Sequence, residues 1–266
     1  MSSNKTFAAA MVLGLAAATP AQAEGGWFSG DWYLTLGAAG FVEPRYEGDN
    51  DYLFSAKPLI SLGKAGPEAR FSSRNDNISL GLIDTGAFRA GATGKIVFPR
   101  DEGDSDDLTG IDPVRWGAEV GGFAEVYPAD WLRVRGELRQ GIRAHEGLVG
   151  DVAVDAFVDV TPTVRLSGGP RLSFATADYF DTYYGIDAAE SAASGLAVYD
   201  PGSGFKSYGA GGAITWKTTD RITTSLFGEY SRLVGPAADS SLVQQRGSEN
   251  QFLFGISATY RFDFTL

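Results

Sequence analysis

The strongest constraint on the fold is a strict alternation of apolar and other residues at the end of the chain. From Phe252 to Leu266 every second residue is apolar, and most residues between them are polar or small. A period of two places successive side chains on opposite faces of a β-strand. As a free edge in water, such an apolar strand would be prone to aggregation. The pattern therefore favours a closing strand of a barrel with a lipid-facing side, and a soluble sandwich edge strand is the alternative.

The same alternation recurs through the preceding sequence. Between residues 132 and 160 the even positions are mostly apolar, and the odd positions carry most of the charges. These segments exceed the usual length of a soluble strand and suit tilted strands that cross a membrane. We place strands near residues 32–42, 51–62, 67–73, 77–83, 86–98, 113–127, 130–145, 148–161, 163–177, 204–217, 220–233 and 249–266.

The connections between these segments give an independent test. The long ones, residues 43–50, 99–112, 178–203 and 234–248, all fall at one end of the strands, and the short ones fall at the other. Outer-membrane barrels have long external loops and short periplasmic turns. The sequence therefore predicts an all-β fold, a transmembrane antiparallel up-and-down β-barrel of about twelve strands with long external loops and short periplasmic turns.

The first residues have the three parts of a secretory signal. Lys5 precedes an apolar stretch from Phe7 to Ala18, and Ala21 to Ala23 form a small-residue cleavage site. We therefore expect residues 1–23 to be a cleaved signal peptide and residues 24–266 to be a single outer-membrane β-barrel domain. The expected location is the outer membrane of a Gram-negative bacterium, with membrane lipid and the barrel-assembly machinery as partners.

Composition limits the available chemistry. The chain has no cysteine, one histidine and a formal net charge of −11. Disulfides, thiolate metal sites and histidine-cluster metal sites are therefore excluded, and nucleic acid is not expected as a partner. An acidic loop at residues 101–112 could hold a divalent cation or be solvated, and its spacing matches no EF-hand. We expect no cofactor and no metal.

The alternation also predicts which side chains face the lumen of the barrel. Odd-numbered residues face inward in the central strands, and opposed residues of antiparallel strands share a face. Tight turns would set Glu125 opposite Arg133 and Glu119 opposite Arg139. They would also set Arg143, Arg139 and Arg135 opposite Asp151, Asp155 and Asp159, with Asp159 next facing Arg165. The predicted ion-pair ladder is Glu119, Glu125, Arg133, Arg135, Arg139, Arg143, Asp151, Asp155, Asp159 and Arg165.

Such a ladder has two interpretations. Paired charges could satisfy a polar barrel interior, or an arginine-rich wall could select anionic solutes in a pore. A hydrolase would need His145 beside an activated nucleophile, and the sequence contains no nucleophile motif near it. We therefore expect no catalytic residues, and an outer-membrane hydrolase is the least favoured function.

Four loop motifs carry a family resemblance. They are Tyr46-Glu47-Gly48-Asp49, the stretch from Tyr179 to Ile186, Ser194-Gly195-Leu196 followed by Tyr199, and Asp239-Ser240 to Val243. In this order they resemble the MltA-interacting protein (MipA/OmpV) family of outer-membrane proteins. The motif residues are Tyr46, Glu47, Gly48, Tyr179, Tyr183, Tyr184, Gly185, Ser194, Gly195, Leu196, Tyr199 and Ser240.

The resemblance implies a non-enzymatic scaffold. Its expected partners are a lytic transglycosylase and a peptidoglycan synthase, which it would link at the cell envelope. A narrow channel for small solutes is the alternative. We expect the loop at residues 178–203 to fold over or into the barrel mouth, where it would act as a cap or as a gate.

Overall fold

The computed structural model describes residues 29–64, 71, 73 and 76–266, so the predicted signal peptide lies outside the described residues. The described part forms eleven strands. They are β1 (Asp31–Pro44), β2 (Tyr52–Lys64), β3 (Ile78–Asp84), β4 (Phe88–Val97), β5 (Gly117–Ala129), β6 (Leu132–Ile142), β7 (Leu148–Asp159), β8 (Val164–Ala175), β9 (Gly204–Lys217), β10 (Ile222–Leu233) and β11 (Asn250–Thr265).

These strands close into one barrel. Every neighbouring pair is antiparallel except β2 and β3, which run parallel. Strand β11 closes the barrel on β1, with Asp31 opposite Thr265 and Val42 opposite Phe254. Because of the parallel pair, an odd number of described strands still leaves both ends of the barrel chain at the same rim. The predicted barrel fold is confirmed.

The two faces of the wall follow the alternation in the sequence. Outward residues of β11 such as Phe254 and Ile256 are exposed, and every odd residue of β6 from Arg133 to Gly141 is buried. An apolar outside and a filled polar inside are typical of membrane barrels. Among the described residues, no helix has the length and apolar character needed to cross a membrane.

Four short helices lie at the end of the barrel that carries the long loops. They are α1 (Ala177–Tyr184), α2 (Ala188–Ser194), α3 (Gly235–Ala238) and α4 (Ser241–Arg246). A 3-10 turn at Asp106–Leu108 lies in the loop after β4. In barrels of this kind the long loops face the exterior. The helices therefore form an external cap, and the loop at residues 178–203 contributes α1 and α2 to it.

The connection between β2 and β3 departs from the expected hairpin. The expected strand at residues 67–73 falls mostly outside the described residues, and β2 pairs directly with β3 at Ser61 to Gly63. The described residues of this connection lie inside the barrel. Phe71 stacks on Phe157 with ring centroids 4.5 Å apart, and Asn77 donates to Glu137 at 2.7 Å. Strand β3 is therefore short, because the residues before it are bound in the lumen.

Candidate functional site

The lumen is crossed by a network of ion pairs that we call the charged belt. Glu125 on β5 is its centre. Its carboxylate accepts from Arg135 at 2.8 Å and lies 3.3 Å from Arg89 and 3.4 Å from Arg133. Tyr127 donates a further hydrogen bond to the same carboxylate at 3.1 Å. The belt consists of Asp76, Arg89, Glu119, Glu125, Arg133, Arg135, Glu137, Arg139, Asp151, Asp155 and Arg171.

Arg139 forms the part of the belt nearest the cap. Its guanidinium donates to Glu119 and Glu137 at 2.7 Å and to Asp151 at 2.6 Å. Glu137 also accepts a hydrogen bond from Arg135 at 2.6 Å. A guanidinium carries five donors in one plane, so a single arginine can satisfy several carboxylates at once.

Asp155 forms the part of the belt nearest the periplasm. It accepts from Arg133 at 2.6 Å and from Arg171 at 2.5 Å. Arg133 also makes a two-pronged contact with Asp76, at 2.7 and 2.8 Å. Arg133 is fully buried and every charge it meets is opposite to its own, which is the condition under which buried ions are stable.

The predicted registers hold in part. Asp159 lies opposite Arg165, with the two side chains 2.7 Å apart at the periplasmic rim. On β5 and β6 the expected register is wrong, because Glu125 lies opposite Arg135. A bulge between Val126 and Ala129 displaces the pairing. The long arginine side chains still reach the predicted partners diagonally, since Glu125 meets Arg133 and Glu119 meets Arg139.

Between β6 and β7 the expected register is also wrong. Asp155 lies opposite Arg133, and Asp151 lies opposite Glu137. The reason is that β6 ends at Ile142 and residues 143–147 form the loop, so the chain turns about three residues earlier than expected.

Arg143 does not belong to the ladder. It has a φ of 73°, in the left-handed region, and its exposed guanidinium lies 4.2 Å from the ring of Trp116. The loop reverses the chain at this residue, which breaks the inward alternation that predicted its place.

The inward alternation alone places three members of the belt in the lumen, although the predicted ladder does not include them. Arg89, Glu137 and Arg171 are odd-numbered residues on β4, β6 and β8. Asp76 carried no such signal, because it precedes β3 and reaches Arg133 from a part of the chain outside any strand. Lys206 on β9 is also absent from the predicted ladder. Its side chain contacts the cap.

The family motifs meet in the external cap. Ser240 caps α4 by accepting from the N–H of Leu242, and its hydroxyl donates to the backbone oxygen of Tyr184 at 2.7 Å. Tyr199 donates to the backbone oxygen of Pro236 at 3.0 Å. These bonds join the loop before β9 to the loop before β11, so the motifs are brought together by folding.

Two apolar clusters fill the cap. One contains Tyr179, Phe180 and Tyr184 of α1 with Ala237 of α3 and Val243 of α4. The other contains Tyr46, Leu108, Ile186, Leu196 and Leu242.

The remaining motif residues end helices or face the lumen. Ser194 and Gly195 end α2, where Gly195 adopts a φ of 80°. Gly185 ends α1 by donating its backbone N–H to the backbone oxygen of Phe180. Tyr183 faces the lumen side, where it packs on His145.

One ion pair attaches the cap to the barrel wall. Lys206 lies 2.9 Å from Glu47, and the Tyr179 hydroxyl donates to the same carboxylate at 3.0 Å. Burial beneath the cap would by itself raise the pKa of Glu47. The positive charge of Lys206 and its hydrogen bond to Glu47 outweigh the effect of burial, so the pKa of Glu47 is lowered. The Glu47 carboxylate is therefore charged in the folded cap.

This pair makes the cap sensitive to acid. Because the pKa of Glu47 is lower in the folded cap than in the unfolded chain, the Glu47 carboxylate stabilises the cap at pH values above its ordinary pKa of 4.5. That stabilisation is lost as the pH falls through the pKa of Glu47 in the folded cap. We expect the protection of the α1 amides against hydrogen exchange, taken relative to the intrinsic exchange rate at each pH, to fall below about pH 4.5, and Glu47→Gln to remove much of that pH dependence. An equally strong acid response in Glu47→Gln would show that another group controls the cap.

Gly48 gives a second test of the cap. It has a φ of 109°, and a Cβ there would lie 2.8 Å from Cγ2 of Val243. Gly48→Ala should therefore destabilise the cap by about 2 kcal/mol, through backbone strain and overpacking. Faster protease cleavage between α1 and α2 would report this. Gly202→Ala is the matched control, because a Cβ there meets nothing within 4 Å.

His145 lies between the belt and the cap. Its Nε2 is 3.4 Å from Glu119, and its ring packs edge-on against Tyr179 at 5.0 Å. In the part of the chain that the structure describes, no serine or threonine hydroxyl lies within hydrogen-bonding distance of it. The nucleophile that a hydrolase would need is therefore not placed beside this histidine.

A cavity of about 560 Å³ occupies the periplasmic half of the lumen. Its walls near the mouth carry Lys217, Asp220, Arg221, Arg261 and Asp263, and further in they reach Arg171 and Asp155 of the belt. The apolar wall opposite the belt contains Phe41, Phe227, Leu59 and Leu253. We call the opening between the periplasmic turns the periplasmic mouth.

The described residues also bear on metal binding. Among them, no group of three or more histidine, aspartate or glutamate side chains is arranged to hold a metal ion. In the acidic loop, carboxylates instead accept backbone hydrogen bonds, as Asp101 does from Gly103 at 2.8 Å.

Comparison with known structures finds proteins of low sequence identity and low structural similarity to this chain. Neisserial surface protein A is 10% identical, with 88% of this chain and 99% of that chain covered and a TM-score of 0.27. OprG from Pseudomonas aeruginosa is 10% identical, with 88% and 96% covered and a TM-score of 0.31. Ail from Yersinia pestis is 11% identical, with 88% and 99% covered and a TM-score of 0.26.

Comparison by sequence gives a more specific result. No curated protein matches the sequence significantly. A family model described as MltA-interacting protein MipA matches residues 36–262, which include all four loop motifs. The resemblance carried by those motifs is thus confirmed.

Proposed function

The chain belongs to the MipA family of outer-membrane β-barrel proteins, and from that premise we propose that it is a non-enzymatic scaffold whose periplasmic mouth binds a lytic transglycosylase. The observation that carries this proposal is the closure of the lumen. The charged belt and the cap lie between the exterior and the cavity, so the accessible part of the lumen faces the periplasm.

The periplasmic mouth supplies what the short turns alone lack. A stable interface needs about 800 Å² on each partner, which a few turns of two to four residues do not provide. A concave mouth enlarges the contact area, because a protruding element of the partner can contact the walls as well as the rim. The rim carries charges of both signs, including Lys217, Arg221 and Asp263. Charged rims mainly govern the rate and specificity of association.

The family name supports the choice of partner. The matching family is described as interacting with MltA, and a lytic transglycosylase is the partner that the sequence motifs implied. A peptidoglycan synthase would be the second partner, held near the first. Both enzymes act on the periplasmic side of the membrane, which is the side to which the mouth opens.

Reversing charges at the mouth tests this proposal. We expect Lys217→Glu with Arg221→Glu to weaken binding of a purified lytic transglycosylase about tenfold, equivalent to about 1.4 kcal/mol. Arg143→Glu is the matched control, because it reverses an exposed charge at the external end. Biolayer interferometry on the protein in nanodiscs would measure both. Equal binding by the mouth variant and the parent would place the partner elsewhere.

A further inference from the structure

The barrel wall has a gap in its external half. Strand β3 begins at Ile78, which lies opposite Gly94 of β4, and β2 pairs with β3 only at Ser61 to Gly63. Above this level β2 continues to Tyr52 and β4 continues to Val97. Neither edge has a backbone partner on this side among the described residues, and the two strands do not close onto each other.

The cause of the gap lies in the lumen. Asp76 and Asn77, the residues before β3, are bound to Arg133 and Glu137 of the belt. The described chain therefore leaves the wall at Ile78 and turns inward. The inward turn leaves a slot between β2 and β4. Its width from backbone to backbone is two strand spacings, or about 10 Å. We call it the lateral slot.

A bilayer penalises such a slot if it remains bare. Unpaired backbone groups are unfavourable in the hydrocarbon region because no water can pair with them, so open sheet edges are tolerated only beside protein or a water-filled cavity. Pro58 lies on the β2 edge and has no N–H to leave unpaired, which is characteristic of edge strands.

The two sides of the lateral slot differ chemically. On the lipid side stand Pro58 of β2, which is exposed, and Ile96 of β4 at the same level, which is 50% exposed. On the lumen side stand Lys57 of β2 and Lys95 of β4, whose side chains are 45% and 46% exposed. An opening with apolar edges in the membrane and ammonium groups behind them complements an amphiphile with an anionic head.

Both lysines retain charge for a ligand. Lys95 lies 3.8 Å from Glu119, but that carboxylate already receives Arg139 at 2.7 Å. Lys57 lies 3.2 Å from Glu43 and 4.9 Å from the centre of the Phe41 ring, both on β1, but its side chain is 45% exposed and partly exposed ion pairs are weak. An incoming carboxylate could therefore contact both ammonium groups without breaking the belt.

We propose that the lateral slot binds one single-chain anionic amphiphile, a fatty acid, with its carboxylate between Lys57 and Lys95 and its chain passing between Pro58 and Ile96 into the membrane. The width favours a single chain over the paired chains of a phospholipid. This site lies in the wall, away from the periplasmic mouth, so it is independent of the proposed scaffold function.

Photo-crosslinking tests the site directly. The full protein in nanodiscs is irradiated with a diazirine-bearing palmitic acid, and the labelled peptides are mapped by mass spectrometry. We expect labelling to concentrate at residues 52–60 and 94–98 and to fall about tenfold in Lys57→Glu with Lys95→Glu. Arg232→Glu, a charge reversal on β10, should label like the parent. Lys57→Gln with Lys95→Gln repeats the test without adding negative charge, and retained heat-modifiable mobility in gels shows that each variant is folded.

Two further probes distinguish the source of the ligand. The methyl ester of the same probe should bind more weakly and lose the dependence on the lysines. A diazirine phosphatidylglycerol should not concentrate at the lateral slot. Labelling spread evenly around the lipid face, labelling unchanged in both lysine variants, or preferential labelling by the diacyl probe would each overturn the proposal.

Discussion

Replacing Glu125 with glutamine is expected to lower the free energy of unfolding by about 3–5 kcal/mol. Glu125 is fully buried and lies within 3.4 Å of three arginines, Arg89, Arg133 and Arg135. Glutamine keeps the shape but removes the charge, so these arginines lose a shared counterion in a site with little water. Urea unfolding in lipid vesicles, followed by circular dichroism, measures the change.

Asp159→Asn is the matched control for this variant. Asp159 also pairs with an arginine, at 2.7 Å from Arg165, but its side chain is 57% exposed at the rim. Exposed ion pairs contribute about 0–1 kcal/mol, so its loss should be small. If the two variants lost equal stability, the belt would not be the buried electrostatic core of the barrel.

Deleting the outer part of the cap is expected to leave the barrel closed to ions. Residues 188–193 belong to α2, which has no buried residue, and the charged belt lies below them across the lumen. We therefore expect planar bilayers to show no resolved channel openings for this deletion. Clear openings are expected when four belt side chains are removed with their charges balanced, by changing Arg133, Arg135, Glu125 and Glu137 to alanine.

The same recordings separate two functions of the cap. If the deletion alone produced stable openings, the loop would gate a channel. That result would favour a channel for small solutes over the proposed scaffold function. If neither variant opened, the apolar wall around Phe41 and Phe227 would have to close the lumen together with the belt. Openings in the belt variant alone are the predicted result.

The sequence predicted the wall of the barrel better than its interior. Alternation identified the strands and the inward face, because a period of two follows directly from strand geometry. Register depends on bulges and loop lengths, and the bulge after Val126 and the five-residue loop after Ile142 had no clear sequence signal. Arg143 was misplaced for this reason, and three of the six predicted ion pairs formed, namely Glu125–Arg133, Glu119–Arg139 and Asp159–Arg165.

The lateral slot could not be predicted from the same pattern. The alternation indicated one strand at residues 67–73, which falls mostly outside the described residues, and another at residues 77–83, which corresponds to β3. Its start is fixed by bonds from Asp76 and Asn77 to the belt across the lumen. Such contacts between distant residues leave no trace in a local period. The cap motifs were found by resemblance, and their joint packing around Ser240 emerged from the fold.

In-cell photo-crosslinking from the periplasmic mouth tests the scaffold most directly. A photoreactive amino acid replaces Thr219 in the turn between β9 and β10, and for comparison Ala189 in the cap. Captured envelope proteins are quantified against those from an unrelated twelve-stranded barrel. We predict enrichment of a lytic transglycosylase from position 219 and none from position 189. Capture of nothing beyond assembly machinery and lipoproteins common to both barrels would contradict the scaffold function.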